Sequence, residues 1–288
     1  MIVGLALALA CALATNVAFL FKHRGAVLAA PVRVRHPLRS AADLFRSRWF
    51  TIGWLVAITA WVLHVGALAL APLSIVQVVL SGGLVFLAVL AERYFGFHLG
   101  RRQWIGLIIT AAGLAVIGLT SGSQDRDAPG YALAALIVLE CAVLGLATGL
   151  ALVSGRLGLS PAGQGMLLGA AAGALFGVSD IALKYLTNAV GNGVLELLSP
   201  WTVAALLASV VAFYASARGL QLGPGVEVIA YTSVAANLVA IVGGILIFRD
   251  PIGASPVAIV GRMLAFCLVI AGAALMPAPM RATRAASP

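Results

Sequence analysis

A few ionisable side chains lie inside the long apolar runs of this 288-residue sequence, and they are its first candidates for chemistry. Asp180 and Lys184 are four residues apart, so a helix places both on one face. Gly169, Gly173 and Gly177 precede them at helical spacing, which predicts close helix packing and a carboxylate that points into the protein. Asp180 is therefore a candidate ligand for an ion or substrate. The alternative is an ion pair in which Asp180 and Lys184 neutralise each other near a helix end.

Two further carboxylates have apolar surroundings. Glu227 follows Pro224 by three residues, and Tyr231 lies one helical turn later. This placement suits a gate or a cation ligand, or else an acid that is stabilised by the positive end of a helix dipole. Glu140 lies midway along an apolar run, where a lone carboxylate needs a partner or a proton. Its position predicts a role for Glu140 either in proton coupling or in a structural hydrogen bond to a neighbouring helix.

Neutral polar side chains in apolar runs usually form hydrogen bonds between helices, and they can also contact a solute. His64 can titrate, but one histidine without a second ligand does not predict a metal site. Cys11, Cys141 and Cys267 occur singly, with no CxxC or Cys/His cluster, so neither a metal centre nor a disulfide is expected. No cofactor is predicted. The neutral polar candidates are Asn16, His64, Gln77 and Asn237.

The composition places the chain in a membrane. It is 62% hydrophobic and 9% charged, whereas soluble domains carry about 25% charged residues. Nine apolar runs approach the roughly 20 residues that a spanning helix needs. The expected fold is thus an all-α polytopic membrane protein, one domain over 1–288. The nine runs are 2–21, 49–70, 73–91, 104–120, 130–153, 165–183, 201–217, 225–248 and 256–276.

The basic residues predict the orientation. Fourteen of the 18 Lys and Arg fall on one side of the predicted spans, and the positive-inside rule makes that side cytoplasmic. The N-terminus is then outside and the C-terminus inside a bacterial inner membrane. The basic 22–48 loop would lie on anionic lipid headgroups, with no nucleic acid as partner. Within it, Ser40 and Asp43 suggest a capping box that starts a short helix.

An internal repeat runs through the chain. A shift of 152 residues brings Trp49 onto Trp201 and Pro72 onto Pro224. Five predicted helices separate each equivalent pair, and because five is odd the two copies cross the membrane in opposite directions. This is the inverted repeat on which many secondary transporters are built. The first copy covers 1–120 with four helices and the second 130–276 with five, so the fifth run has no counterpart.

Two stretches carry a resemblance to a known family. The sequence RRQWIGLIITAAGLAVIGL (101–119), with Gln103, Gly106 and Gly113, is similar to the end-of-repeat helix of EamA-type members of the drug/metabolite transporter superfamily. The sequence APLSIVQVVLSGG (71–83) resembles the nine-helix, NIPA-type branch of putative magnesium transporters.

The resemblance implies two halves that rock about a central cavity. Runs 1, 2, 3, 6, 7 and 8 would line this cavity, and the fifth run would add Glu140. Runs 4 and 9 would pack at the periphery or at a homodimer contact.

The predicted function is a secondary transporter of a small solute that works by alternating access. A divalent cation such as magnesium fits oxygen ligands without cysteine, and two converging acids would favour it. A small organic metabolite or drug is the alternative, since it needs only one acid together with aromatic side chains. A different class is a membrane scaffold or sensor that acts through the 22–48 loop. The sequence has no nucleophile–base pattern and no phosphate-binding loop, so an enzyme is not expected.

Overall fold

The chain folds as a multi-pass membrane protein. The computed structural model describes residues 2–33, 36–95, 100–120, 132–189, 193–250 and 255–275, and these residues form helices but no strand. Six of the helices are long and apolar enough to cross a membrane. The helices are α1 (Ile2–Leu28), α2 (Pro37–Phe45), α3 (Arg48–Leu70), α4 (Leu73–Phe95), α5 (Arg101–Thr120), α6 (Leu133–Val153), α7 (Pro161–Ala189), α8 (Pro200–Leu222), α9 (Gly225–Leu246) and α10 (Pro256–Leu275).

The long helices coincide with the predicted apolar runs. Nine helices in the described part of the chain have 20 or more residues. That all nine span the membrane stays a prediction. Several helices extend beyond the apolar run, and α1 continues past Lys22 to Leu28. The extension is stabilised by packing, because Gly25 lies directly against the backbone of Phe50 in α3.

The contacts at the helix ends define two ends of the bundle. At the first end, Gly4 of α1 packs against Ala71, which lies between α3 and α4. At the second end, Gly165 of α7 packs against Gly223, which lies between α8 and α9. The start of α9 at Gly225 also packs against His23 near the end of α1. Therefore α1 and α7 run in opposite directions, and so do α4 and α9.

The glycine stripe on α7 makes the predicted close contact. A Cβ atom at Gly169 would lie 2.8 Å from the carbonyl oxygen of Val228, and one at Gly177 would lie 2.8 Å from that of Ala236. Gly173 lies against the carbonyl of Thr232 between them. Small residues allow such backbone approach in a membrane, where apolar side chains gain little by leaving lipid. The stripe joins α7 to α9 and fixes the rotation of α7.

The helices α5 and α10 pack against each other. A Cβ atom at Gly106 would lie 2.6 Å from the carbonyl oxygen of Gly272, and one at Gly113 would lie 2.8 Å from that of Ala265. The glycines that carry the family resemblance on α5 therefore serve this intramolecular contact. A homodimer at these helices stays an expectation, and it would use their remaining faces.

The predicted capping box in the basic loop is wrong. Helix α2 begins at Pro37, and its N-cap residue His36 makes no side-chain cap. Ser40 lies inside the helix, where its hydroxyl accepts a hydrogen bond from the Arg33 N–H at 3.0 Å. Proline is favoured in the first helical turn because it needs no N–H partner there. Leu44 is fully buried against the bundle, so α2 is attached to the protein.

Gly173→Ala should lower the stability of the protein. The added methyl group would collide with the Thr232 carbonyl, and overpacking of this kind costs about 1–3 kcal/mol. The thermal unfolding midpoint of the purified protein in detergent or nanodiscs measures the effect. Gly145→Ala on α6 is the matched control, because no atom lies within 4 Å of its added Cβ. Equal midpoints for the two variants would contradict the close α7–α9 packing.

Candidate solute site in the centre of the bundle

Asp180 lies on the wall of a central cavity and is held by two other helices. Its Oδ1 lies 3.0 Å from Nε2 of His64 on α3, and its Oδ2 accepts a hydrogen bond of 2.8 Å from Nε2 of Gln77 on α4. His64 and Gln77 are buried, whereas the Asp180 side chain keeps 20% of its surface exposed. The carboxylate is thus positioned by two neutral or cationic partners and still faces open space.

The cavity has a volume of about 210 Å³ and is formed by five helices. Helices α1, α3, α4, α7 and α9 supply its walls, whereas α6 and α8 supply no lining residue. The fifth and seventh apolar runs correspond to α6 and α8. The prediction that they line this cavity is therefore wrong. Polar groups on its walls are Thr15, Asn16, Lys22, His64, Gln77, Asp180, Thr232, Ser233 and Asn237.

Asn16 and Asn237 approach the cavity from opposite helices. The Asn16 amide donates to the carbonyl oxygens of Ala12 and Gly83, both at 2.8 Å, which joins α1 to α4. Its Oδ1 is buried and has no hydrogen-bond partner among the described residues. Asn237 lines the cavity from α9. Asn16 therefore holds α1 against α4 at the cavity wall, and its buried amide oxygen stays without a partner there.

Lys184 does not pair with Asp180. Its Nζ donates to the carbonyl oxygen of Leu68 at 2.6 Å and to that of Ala71 at 3.1 Å, at the end of α3. In the described residues the ion pair of Asp180 is with His64. The proposed self-neutralising Asp180–Lys184 pair is therefore wrong. Their spacing of four residues places the two side chains on one face of α7. The Lys184 side chain extends to the end of the bundle, whereas the Asp180 carboxylate lines the cavity.

Asp250 joins the same end of the bundle. Its Oδ2 accepts a hydrogen bond of 2.7 Å from the N–H of Ser74 in the first turn of α4, which caps that helix. Burial raises the pKa of the Asp250 carboxyl above its ordinary value, whereas the bonds to Ser74 and the charge of Lys184 act in the opposite direction. Sequence reasoning missed Asp250, although an acid beside Pro251 at the end of an apolar run was a visible signal.

Three predicted site residues lie away from the cavity. Glu140 is buried on the face of α6 that packs against α7, and its two oxygens have no hydrogen-bond partner among the described residues. Glu227 is buried in the first turn of α9, at the second end of the bundle. Tyr231 is 41% exposed on the outer side of α9. Tyr231 lies outside because the face of α9 that lines the cavity carries Thr232, Ser233 and Asn237.

Sequence reasoning also missed Lys22, which lines the cavity from α1. In the sequence, Lys22 directly follows the apolar run 2–21 and so falls within the basic 22–48 loop. Since α1 continues as a helix through this position, the side chain lies against Phe19, with its Nζ 4.2 Å from the centroid of the ring. The spacing of three residues between Phe19 and Lys22 was the only signal available in the sequence.

The chain is similar along 98% of its length to the "Probable magnesium transporter NIPA9" of Arabidopsis thaliana. The identity is 25% over 297 aligned residues, which cover 83% of that relative. No family model matches the chain. No solved structure matches it either.

Lys184→Met should destabilise the first end of the bundle. The variant loses two charge-assisted hydrogen bonds, each of which contributes roughly 1.5–3 kcal/mol, and it removes the cation that opposes the charge of Asp250. The unfolding midpoint should fall measurably. Arg249→Gln removes an exposed cation beside Asp250 and should leave the midpoint nearly unchanged. Equal effects of the two substitutions would exclude a specific role of the Lys184 bonds.

Proposed function

We propose that this protein is a secondary transporter that moves a small cation through the central cavity by alternating access. The observation that carries the proposal is the half-buried Asp180 carboxylate, which lines a cavity between five helices and is positioned by His64 and Gln77. An ionisable side chain in the middle of a membrane domain is costly and usually marks a solute or ion pathway. The similarity to a probable magnesium transporter supports magnesium as the cation.

The cavity suits a cation that keeps part of its water shell. Mg²⁺ loses water reluctantly and is typically bound by one or two carboxylates together with waters. One water occupies about 30 Å³ in the liquid, so about 210 Å³ accommodates a partly hydrated ion. Asp180 is the direct ligand in this proposal. Asn16, Asn237 and Thr232 contact the ion or its waters, and His64 and Gln77 hold the carboxylate.

The alternating-access mechanism rests on a proposed inverted repeat in which α1, α3, α4 and α5 correspond to α7, α8, α9 and α10. The repeat is supported by two similar contacts, one at each end of the bundle. Lys184 of α7 binds the carbonyl of Leu68, and His23 of α1 interacts with the carbonyl of Leu220, which is Leu68 shifted by 152 residues. Each contact joins one half to the other. The contacts at the two ends would open in turn, and Glu227 belongs to the gate at the second end.

An organic solute is the second candidate. Only Asp180 brings a carboxylate to the cavity from the described residues, whereas Phe19, Trp61 and Phe176 contribute aromatic surface. Lys22 adds a positive charge that opposes a cation and would attract an acidic group. These features favour a small amphiphilic metabolite over a bare ion. The scaffold alternative would act through 22–48, where α2 and its basic neighbours would contact anionic lipid headgroups.

Asp180→Asn should reduce magnesium flux into proteoliposomes by roughly tenfold or more, because a charged ligand is replaced by a neutral one of the same shape. Flux is measured with a magnesium-sensitive dye trapped in the vesicles. Glu140→Gln is the matched control, since it neutralises a buried carboxylate that lies outside the cavity. It should leave the flux nearly unchanged, because the Glu140 side chain does not line the cavity.

Two results would contradict the cation proposal. If wild-type vesicles take up no magnesium, the substrate is wrong. If Asp180→Asn and Glu140→Gln transport alike, the site is wrong. Displacement of flux by added organic acids or amines, with the same dependence on Asp180, would instead support the organic solute.

The proposed orientation has a direct test. Ser123→Cys lies between the fourth and fifth apolar runs and should react from outside the cell with a membrane-impermeant maleimide, in a background without the native cysteines. Ser160→Cys, between α6 and α7, should react only after the membrane is permeabilised. Labelling of both positions from outside would contradict opposite placement of these two loops and, with it, the inverted repeat.

A further inference from the structure

A second cavity of about 450 Å³ lies beside the central one. It is enclosed by α1, α3, α7 and α8, and most of its wall is apolar or aromatic. Pockets of about 300–1,000 Å³ with apolar walls and a few polar groups are typical of small-molecule sites. Its aromatic residues are Phe50, Trp54, Trp61, Phe176 and Phe213.

The aromatic wall is packed against α2 at the second end of the bundle. Phe45 of α2 packs against Phe50, Trp54 and Phe213, with ring centroids separated by 5.4, 5.7 and 6.2 Å. Rings at these distances stabilise one another and restrict their rotation. The short helix α2 therefore keeps the cavity formed.

Lys22 is the charged residue in this wall. The two ion pairs found among the described residues join Arg46 to Asp43 and His64 to Asp180, so neither uses Lys22. The Lys22 ammonium instead contacts the face of Phe19. A half-buried ammonium with no ion pair in the described part of the chain leaves its charge available to an anion in the cavity.

The mouth of the cavity is on the apolar outer surface. Trp54, Ile58 and Trp61 line the cavity and are 37%, 43% and 56% exposed. In a membrane-spanning helix, an exposed apolar face contacts acyl chains. A ligand that enters here comes from the bilayer, and it must carry an apolar body as well as a charge.

We propose that this side cavity is a binding site for an amphiphilic organic anion of the bilayer, whose carboxylate or phosphate pairs with Lys22 and whose apolar chain lies among Trp54, Trp61 and Phe213. A free fatty acid and an anionic phospholipid share this chemistry. The proposal does not depend on which solute passes through the central cavity. It assigns a function to a lysine that the cation pathway does not need.

Tryptophan fluorescence tests the site in the full-length protein. In a background with Trp49, Trp104 and Trp201 replaced by Phe, only Trp54 and Trp61 report. Bromine atoms quench tryptophan on contact, so dibromostearate or brominated phosphatidylglycerol in nanodiscs should quench with saturation. Brominated phosphatidylcholine, which has no net charge, should quench only in proportion to its fraction of the bilayer and without saturation, because it reaches these exposed rings as bulk lipid. Whichever of the two anions saturates identifies the source of the ligand.

Lys22→Met should weaken the saturable anion binding roughly tenfold, which is the value of one charge-assisted contact. Arg24→Gln is the matched control, because Arg24 lies two residues further along α1, outside the cavity, over the ring of Trp49. It should leave binding nearly unchanged. Ser216→Leu fills the cavity from α8 while keeping Lys22, and it should abolish saturation.

The proposal is overturned if neither anion quenches with saturation, or if phosphatidylcholine binds equally well. Equal losses in Lys22→Met and Arg24→Gln would also overturn it, because attraction by surface charge would then suffice. If Lys22→Met fails to fold, Ser216→Leu is the deciding variant. Saturable anion binding by Ser216→Leu would show that the ligand binds outside the side cavity and would overturn the proposal.

Discussion

The position of one carboxylate constrains the centre of this protein. Asp180 lies inside a bundle surrounded by lipid, where an ionised group without partners is strongly unfavourable. Its two oxygens are satisfied by His64 of α3 and Gln77 of α4, so three helices must meet at fixed rotations. A fifth of the Asp180 side chain stays exposed and lines the central cavity.

Close backbone packing makes this arrangement possible. In lipid, helices gain little from burying apolar side chains, so they associate through tight contacts and hydrogen bonds. The contact of Gly173 with Thr232 fixes one face of α7 against α9, and Asp180, two turns further along that face, reaches His64 of α3 and Gln77 of α4. The same physical principle explains the contacts of Gly4 and Gly165 at the two ends. The glycine contacts with α9 and the proposed solute ligand therefore lie on the same helix, α7.

The side cavity and the central cavity share Lys22, Ala57, Trp61 and Phe176 as walls. In the two proposals, a ligand in one cavity would contact side chains that also line the other. Lys22 is the main electrostatic link, since a positive charge at the rim opposes a cation next to Asp180 and an anion in the side cavity would offset it.

The positions of the long helices and the membrane class followed from the sequence alone, because hydrophobic runs near 20 residues leave the backbone no other way to satisfy its hydrogen bonds in lipid. The glycine stripe and the inward direction of Asp180 also followed, since helical spacing fixes which residues share a face. Only the tertiary structure decided the partners. Lys184 reaches the Leu68 carbonyl instead of Asp180, and Glu140 packs against α7 instead of the cavity. These outcomes depend on the rotation of helices distant in sequence, which local spacing does not encode.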